Sequence, residues 1–341
     1  PGRPSVALGA QGTGPIDDYT AQVALATGGQ ERLSGTLRLG TGAAADAPGA
    51  DGAPAARTFA MDVNGDIAPL FAPDYRAFFG PDIALRVAGA RRDDGALTLE
   101  RLSLQARAMT LRGTARVAAD GWPEQLALTG RIAAPDGAPV LLPLAGPRTT
   151  IADGRVEIGF DAEKGDTLRA EIHARRLERP DLALADATLA ATGRLRRGAG
   201  DTLGVAAADL RARLSGLAPA DTALARALGR DLRASARLDW SPGKPVGLTG
   251  LDLSGGDYAL SGDVSLHGVE GAVELSADTD LRVRAQDLSR FAGLAGRPLH
   301  GGADIAMRGT VQPVSGSFDL AVEGRTRDLA IGDATLDPLL R

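Results

Sequence analysis

A chain of 341 residues with no cysteine and three histidines offers no thiol nucleophile, disulfide framework or cysteine-ligated zinc, and His173, His267 and His300 stand too far apart for a paired metal motif. Hydrophobic residues make up 44% and charged residues 24%, the balance of a folded chain despite 45 glycines and 20 prolines. Aromatics at 4% and a net charge of −5 exclude a base-stacking platform and a basic field, so nucleic acid is not an expected partner.

Strands are read from period-two alternation. In chain order the candidates are Thr20 to Ala26, Arg32 to Leu39 and Thr58 to Asn64, with the Ala/Gly/Pro-rich stretch Gly40 to Ala56 as a flexible loop between the second and third. PDIALRV from Pro81, Glu124 to Ile132, RVEIGF from Arg155, Leu168 to Ala174, Thr202 to Leu214 and RDLRASARL from Arg230 follow. Val273 to Ala277, Leu281 to Ala285, ADIAMRG from Ala303 and Ser317 to Val322 complete the set. The longest apolar run, PVLLPLAG from Pro139, falls well short of the ~18 residues that span a bilayer.

Internal repetition organises these strands. Leu102, Leu104, Met109 and Gly113 recur as Leu182, Leu184, Leu189 and Gly193, offset by 80 residues, and as Leu251, Leu253, Tyr258 and Gly262, offset by a further 69. Leu329, Ile331 and Leu336 form a partial fourth copy. Leu104 and Met109 lie an odd number of residues apart, so one flat strand cannot hold both on one face. A four-residue turn at Gln105 to Ala108 makes them cross-strand neighbours, and Ala185 to Thr188 and Ser254 to Asp257 are the equivalent expected turns. Gly80, Gly154, Gly229 and Gly302, spaced 74, 75 and 73 apart, each precede an alternating strand and follow an apolar segment read as a short helix or loop.

The expected domain plan is therefore the end of one unit over 1–66, units over 67–138, 139–216 and 217–287, and an incomplete unit over 288–341. Because the chain opens at Pro1 without methionine and stops within the pattern at Arg341, it is expected to be one continuous fragment of a longer protein. The fold class expected is all-β: an elongated, repetitive antiparallel sheet curled into an open apolar groove. Its lining is expected at Leu102, Leu104, Met109, Leu111, Val117, Leu182, Leu184, Leu189, Leu251, Leu253, Tyr258, Leu260, Val264, Ile305, Met307, Phe318 and Leu320. Thr110, Arg112, Ser261 and Asp263 are expected to face water. Gly113, Gly193 and Gly262 share the apolar parity and mark bulges or close backbone packing, with widening of a groove as the rival role.

Catalysis is not expected. Asp62, Glu157, Asp263 and Asp319 fall on polar parity, and Gly198 to Gly200 is a turn, not a phosphate loop. No metal, nucleotide or other cofactor is implied. Arginine is abundant against only Lys164 and Lys244, which reads as the codon bias of a GC-rich genome.

DLSRFAGLAGRPL from Asp287, the strand GSFDL from Gly316 and the unit start DIAPLFAPDYRAFFGPD from Asp66 resemble the repeats of the TamB translocation and assembly module family in the AsmA-like superfamily. That resemblance implies a periplasmic, Gram-negative lipid conduit, held to the inner membrane through a segment outside this chain. It would carry phospholipid acyl chains along the groove and support outer-membrane biogenesis and protein assembly. An outer-membrane assembly barrel protein would be met through regions outside this segment. The rival expectation is a structural or adhesin-like β-solenoid with a closed, dry core and no lipid cargo.

Overall fold

The structure, a computed structural model, describes residues 5–15, 17–43, 55–198, 204–268, 275–312, 315, 317–333, 335 and 337–339. Strand accounts for 65% of the residues and helix for 9%, and the antiparallel sheet is open and not closed into a barrel. The chain divides into two compact units, Pro1–Ala170 and Glu171–Arg341.

In the first unit Val6–Thr13 (β1), Asp18–Thr27 (β2), Gln30–Ala43 (β3) and Ala55–Gly65 (β4) pair in sequence. The turns Ala68–Leu70 and Pro73–Tyr75 lead into the short helix Arg76–Phe79 (α1). Ile83–Arg92 (β5), Leu97–Gln105 (β6), Met109–Val117 (β7) and Pro123–Ile132 (β8) continue the meander from β4. Val140–Leu141 (β9) and Thr150–Ile151 (β10) form a small hairpin before Asp153–Asp161 (β11), which pairs with β8. Thr167–Glu178 (β12) carries the chain into the second unit.

There Leu182–Arg196 (β13) pairs with Val205–Ser215 (β14) and with the bridge Ala218–Pro219 (β15). After the helix Thr222–Leu228 (α2), Leu232–Trp240 (β16) pairs with β14. Val246–Gly255 (β17), Tyr258–His267 (β18) and Ser276–Ala285 (β19) add in order. A 3-10 turn at Leu288–Phe291 runs into Ala292–Ala295 (α3), and His300–Gln312 (β20) and Ser317–Ala330 (β21) finish the meander.

Short helical segments that cover strand ends follow residues 67, 217 and 288, whereas residue 139, the other expected unit start, is followed by the β9–β10 hairpin. In the first unit the backbone amides of Arg107 and Ala108 donate to the carbonyls of Phe79 and Phe78 at 2.9 and 3.0 Å, which ties α1 to the β6–β7 turn. Phe78, 3% exposed, packs there with Ala108 and Val140, while Phe71 stacks on Phe79. In the second unit Asp221 caps α2 by accepting from Leu224 N–H at 2.7 Å. Tyr258 donates its hydroxyl to the Leu228 carbonyl at 3.1 Å and meets Phe291 edge to face, beside buried Leu184, Leu217 and Leu232. Coverage of a sheet end is therefore the observed role of these segments.

Two repeat copies carry the same irregularity. Between Leu99 and Leu102 the β6–β7 register shifts opposite Thr114, next to Gly113, and between Leu248 and Leu251 the β17–β18 register shifts opposite Asp263, next to Gly262. One extra residue on β6 and on β17 keeps Leu99 and Leu102, and Leu248 and Leu251, on one face despite their odd spacing. A side chain at Gly262 would lie 2.0 Å from the Asp280 carbonyl and one at Gly193 2.2 Å from that of Ala207. The repeat glycines thus answer to bulges and close backbone approach.

Several expectations need correction. No turn forms at Ala185 to Thr188, because β13 runs unbroken from Leu182 to Arg196. Those four residues contain no glycine, and the actual turn lies before them, where Arg179 and Leu182 exchange backbone hydrogen bonds and the Arg179 guanidinium holds Asp181 at 2.9 Å. Between Leu184 and Leu189 the partner switches from β15 to β14 without a change of register, past Gly216, where an added Cβ would lie 2.4 Å from that of Ala185. The third turn is confined to Gly256 and Asp257. β1 was not anticipated, Gly40 to Ala43 and Ala55 to Ala56 are strand, and Gly154 and Gly302 lie inside β11 and β20. Residues 44–54, 273–274 and Leu336, on which other expectations fell, lie outside the described residues.

Phe78→Ala is expected to cost about 3–5 kcal/mol in urea unfolding, since it empties a packed site. Phe318→Ala, at a side chain 72% exposed on β21, should change stability by no more than about 0.5 kcal/mol.

Candidate functional site

Following the pairing partners strand by strand shows which residues share a face. One row of the first unit reads Ala10, Val23, Gly35, Val63, Leu85, Leu104, Leu111, Gly130 and Val156. The next reads Gly12, Ala21, Leu37, Met61, Val87, Leu102, Gly113, Leu128 and Ile158. Between them lies a row on the opposite face: Gln11, Gln22, Thr36, Asp62, Arg86, Ser103, Arg112, Thr129 and Glu157. These registers keep the large aliphatic side chains of the rows on one side and most charged ones on the other.

The second unit repeats the arrangement. Leu189, Ala212, Ala234, Leu253, Leu260, Val283, Ile305 and Gly324 make one row. Leu251, Gly262, Leu281, Met307 and Val322 make a second, and Leu248, Val264, Thr279, Gly309 and Leu320 a third. Tyr258 aligns with Ala285 and Ala303, and Val311 with Phe318. Met109 aligns with Ile132, and Val117 with Leu97 and Pro123. Leu182 pairs with Pro219, and Leu184 enters the covered cluster beside it.

Exposure follows this division without full burial. Leu102, Leu104, Met109, Leu111, Leu251, Leu253, Leu260, Val264, Ile305 and Met307 are half-buried, whereas Thr110, Arg112 and Asp263 are exposed. Ser261 departs from the expectation: it is half-buried between Asp252 and Arg282. Leu189 is 44% exposed, Val322 60% and Phe318 72%, so the apolar face is uncovered at these positions. Asp62, Glu157 and Asp319 are exposed on the polar side.

The polar face is laced by arginine and aspartate across strands. Arg86 holds Asp62 at 3.0 Å, Arg308 holds Asp280 at 3.0 Å, and His173 and His267 sit on Asp186 and Asp278 at 2.8 and 2.9 Å. Sequence reasoning assigned the arginines to coding bias and missed these pairs. The Arg-x-Arg spacing of Arg282 and Arg284 was visible, but their partners depend on register. One carboxylate is deeply placed: Asp153, 2% exposed, receives Arg131 at 2.8 and 3.1 Å and faces Arg155 at 3.0 Å. Burial disfavours its charge, yet the two guanidinium groups outweigh that and hold its carboxyl below the ordinary range.

Among the described residues no three of His, Asp and Glu converge as metal ligands, and no helix is long and apolar enough to cross a membrane. Scans against protein-family models, curated proteins and solved structures returned no match.

Arg131→Ala leaves Asp153 with one cation in a buried place and should destabilise by about 1–3 kcal/mol at neutral pH. Because the folded carboxyl ionises at lower pH than the unfolded one, its contribution is present above the ordinary value of 3.8 and fades as pH falls through the depressed folded value. The stability gap between the variant and wild type, followed by urea unfolding, should therefore shrink in strong acid.

Proposed function

We propose that the chain is a segment of a lipid conduit of the Gram-negative periplasm, in which the apolar rows form a groove that shelters phospholipid acyl chains. The observation that carries this reading is the pairing of continuous apolar rows with an open sheet. Within each unit the rows cross strand after strand, yet most of their leucines, valines and methionines remain only half-buried, with Val63 buried and Leu189 and Val322 exposed. Each methylene withdrawn from water is worth about 0.8 kcal/mol, so an acyl chain laid along such rows gains steadily with its length. Headgroups would stay in solvent.

The resemblance of Asp287 to Leu340 and of the Asp66 unit start to the TamB family supports the same reading. It supplies the proposed setting as well: transport between the two membranes, with anchoring and contact with an outer-membrane assembly barrel through other regions. No catalytic step or cofactor belongs to the proposal. A structural solenoid would instead bury its apolar face in a dry core, and exposure of Leu189 and Phe318 speaks against that packing.

The test uses parity. Leu111 is half-buried in an apolar row and Arg112 is exposed beside it on the other face. An unpaired charge in an apolar environment costs several kcal/mol, so Leu111→Asp and Leu260→Asp should exclude acyl chains. Arg112→Asp should leave lipid content unchanged. Lipid extracted from the purified variants and weighed by mass spectrometry, with circular dichroism confirming retained strand, reads the difference. Equal lipid in Leu111→Asp and Arg112→Asp, or none in the wild type, would sink the conduit reading and favour the structural one.

A further inference from the structure

On the polar face of the second unit, β19, β20 and β21 place Arg284, Asp304 and Arg325 in one cross-strand row, and Arg327 follows at the next position on the same side of β21. A surface cavity of about 640 Å³ opens at this end of the strands, walled by Arg284, Arg325 and Arg327. Small residues lie beneath it: Ala285 and Ala303 are 4% and 7% exposed.

The acids at its margin are committed. Asp304 accepts from Arg282 at 2.5 and 2.6 Å and lies 3.5 Å from Arg284, while Asp257 is held by Arg290 at 2.5 Å. Arg325 and Arg327 are exposed and have no ion-pair or hydrogen-bond partner among the described residues. Glu323, one alternate position earlier on β21, is the nearest uncommitted acid on that strand face, and three guanidinium groups outnumber it.

We infer that this cavity is a binding site for a phosphate group, with Arg325 and Arg327 as its two free guanidinium donors and Arg284 as the third cationic wall. Planar guanidinium forks match phosphate oxygens bidentately, and a concave site whose two lining acids, Asp257 and Asp304, are already held by Arg290 and Arg282 leaves its arginines to concentrate anions. Arg284 and Arg325 stand at the parity opposite Leu260, Val283 and Ile305, so the site is tested independently of the conduit reading. The phosphate could belong to a lipid headgroup or be free in solution, and the chemistry of recognition is the same.

Two arms separate those sources. Inorganic phosphate is titrated into the full chain by calorimetry, and the same protein is sedimented with vesicles of phosphatidylcholine with and without phosphatidylglycerol at about 0.1 M salt, where only close charges still act strongly. R325Q/R327Q is compared with R211Q/R213Q, which removes the same charge from exposed β14 positions outside the cavity. Binding should fall at least roughly tenfold in the first variant and less than about twofold in the second, as loss of charge-assisted bidentate bonds requires. Response to inorganic phosphate assigns a soluble phosphate, and response confined to phosphatidylglycerol vesicles assigns a headgroup; either supports the site. Absence of binding in both arms, or equal loss in the two folded variants, overturns it.

Discussion

Everything in this molecule depends on the antiparallel backbone ladder, because strands make up 65% of it and helices only 9%. Ladder hydrogen bonds satisfy the backbone, but they are nearly neutral as to which side chains face which way. Register supplies that choice: a slip of one residue anywhere between β2 and β8 would send a row such as Val63, Leu85, Leu104 and Leu111 to the arginine side. The bulges next to Gly113 and Gly262 are part of the same control. They absorb one residue at the point where Leu99 to Leu102 and Leu248 to Leu251 would otherwise break parity.

Stability is then distributed unevenly. Deep burial is concentrated under α1 around Phe78 and under α2 and α3 around Tyr258, at strand ends. The middles of the strands rely on half-buried aliphatic rows and on cross-strand pairs such as Arg86 with Asp62, which at the surface contribute well under about 1 kcal/mol each. Asp153 differs because its charge is buried between Arg131 and Arg155 at the start of β11, where an unpaired carboxylate could not be tolerated.

Face assignment was legible from sequence because a strand's side-chain period is two, and that period survives whatever the neighbours are. Leu102, Leu104, Met109 and Leu111 could therefore be placed together from alternation and one turn. Turn location was less legible. The copy at Leu182, Leu184 and Leu189 matches the leucine spacing of its relatives, but the turn chemistry of Gly256 is absent from Ala185 to Thr188, and the spacing was given more weight than the glycine. β1 escaped notice because alanine and glycine dilute its alternation, leaving only Val6 and Leu8 as large apolar residues. The Arg284 and Arg325 cavity was illegible in principle, since it is assembled from strands separated by tens of residues and aligned only by register.

A meander has a further physical consequence. Nearly every strand pairs with its chain neighbours, so contacts are local and each hairpin owes most of its stability to the two beside it, as in repeat proteins. A charge placed at Leu111 loses the local contacts of β6 and β8, near Leu104 and Gly130, while β18 and its own rows in the other unit keep theirs. The disturbance stays within a few strands. That locality is what allows the fold to tolerate a carboxylate on its apolar face, and it follows from the order of pairing alone.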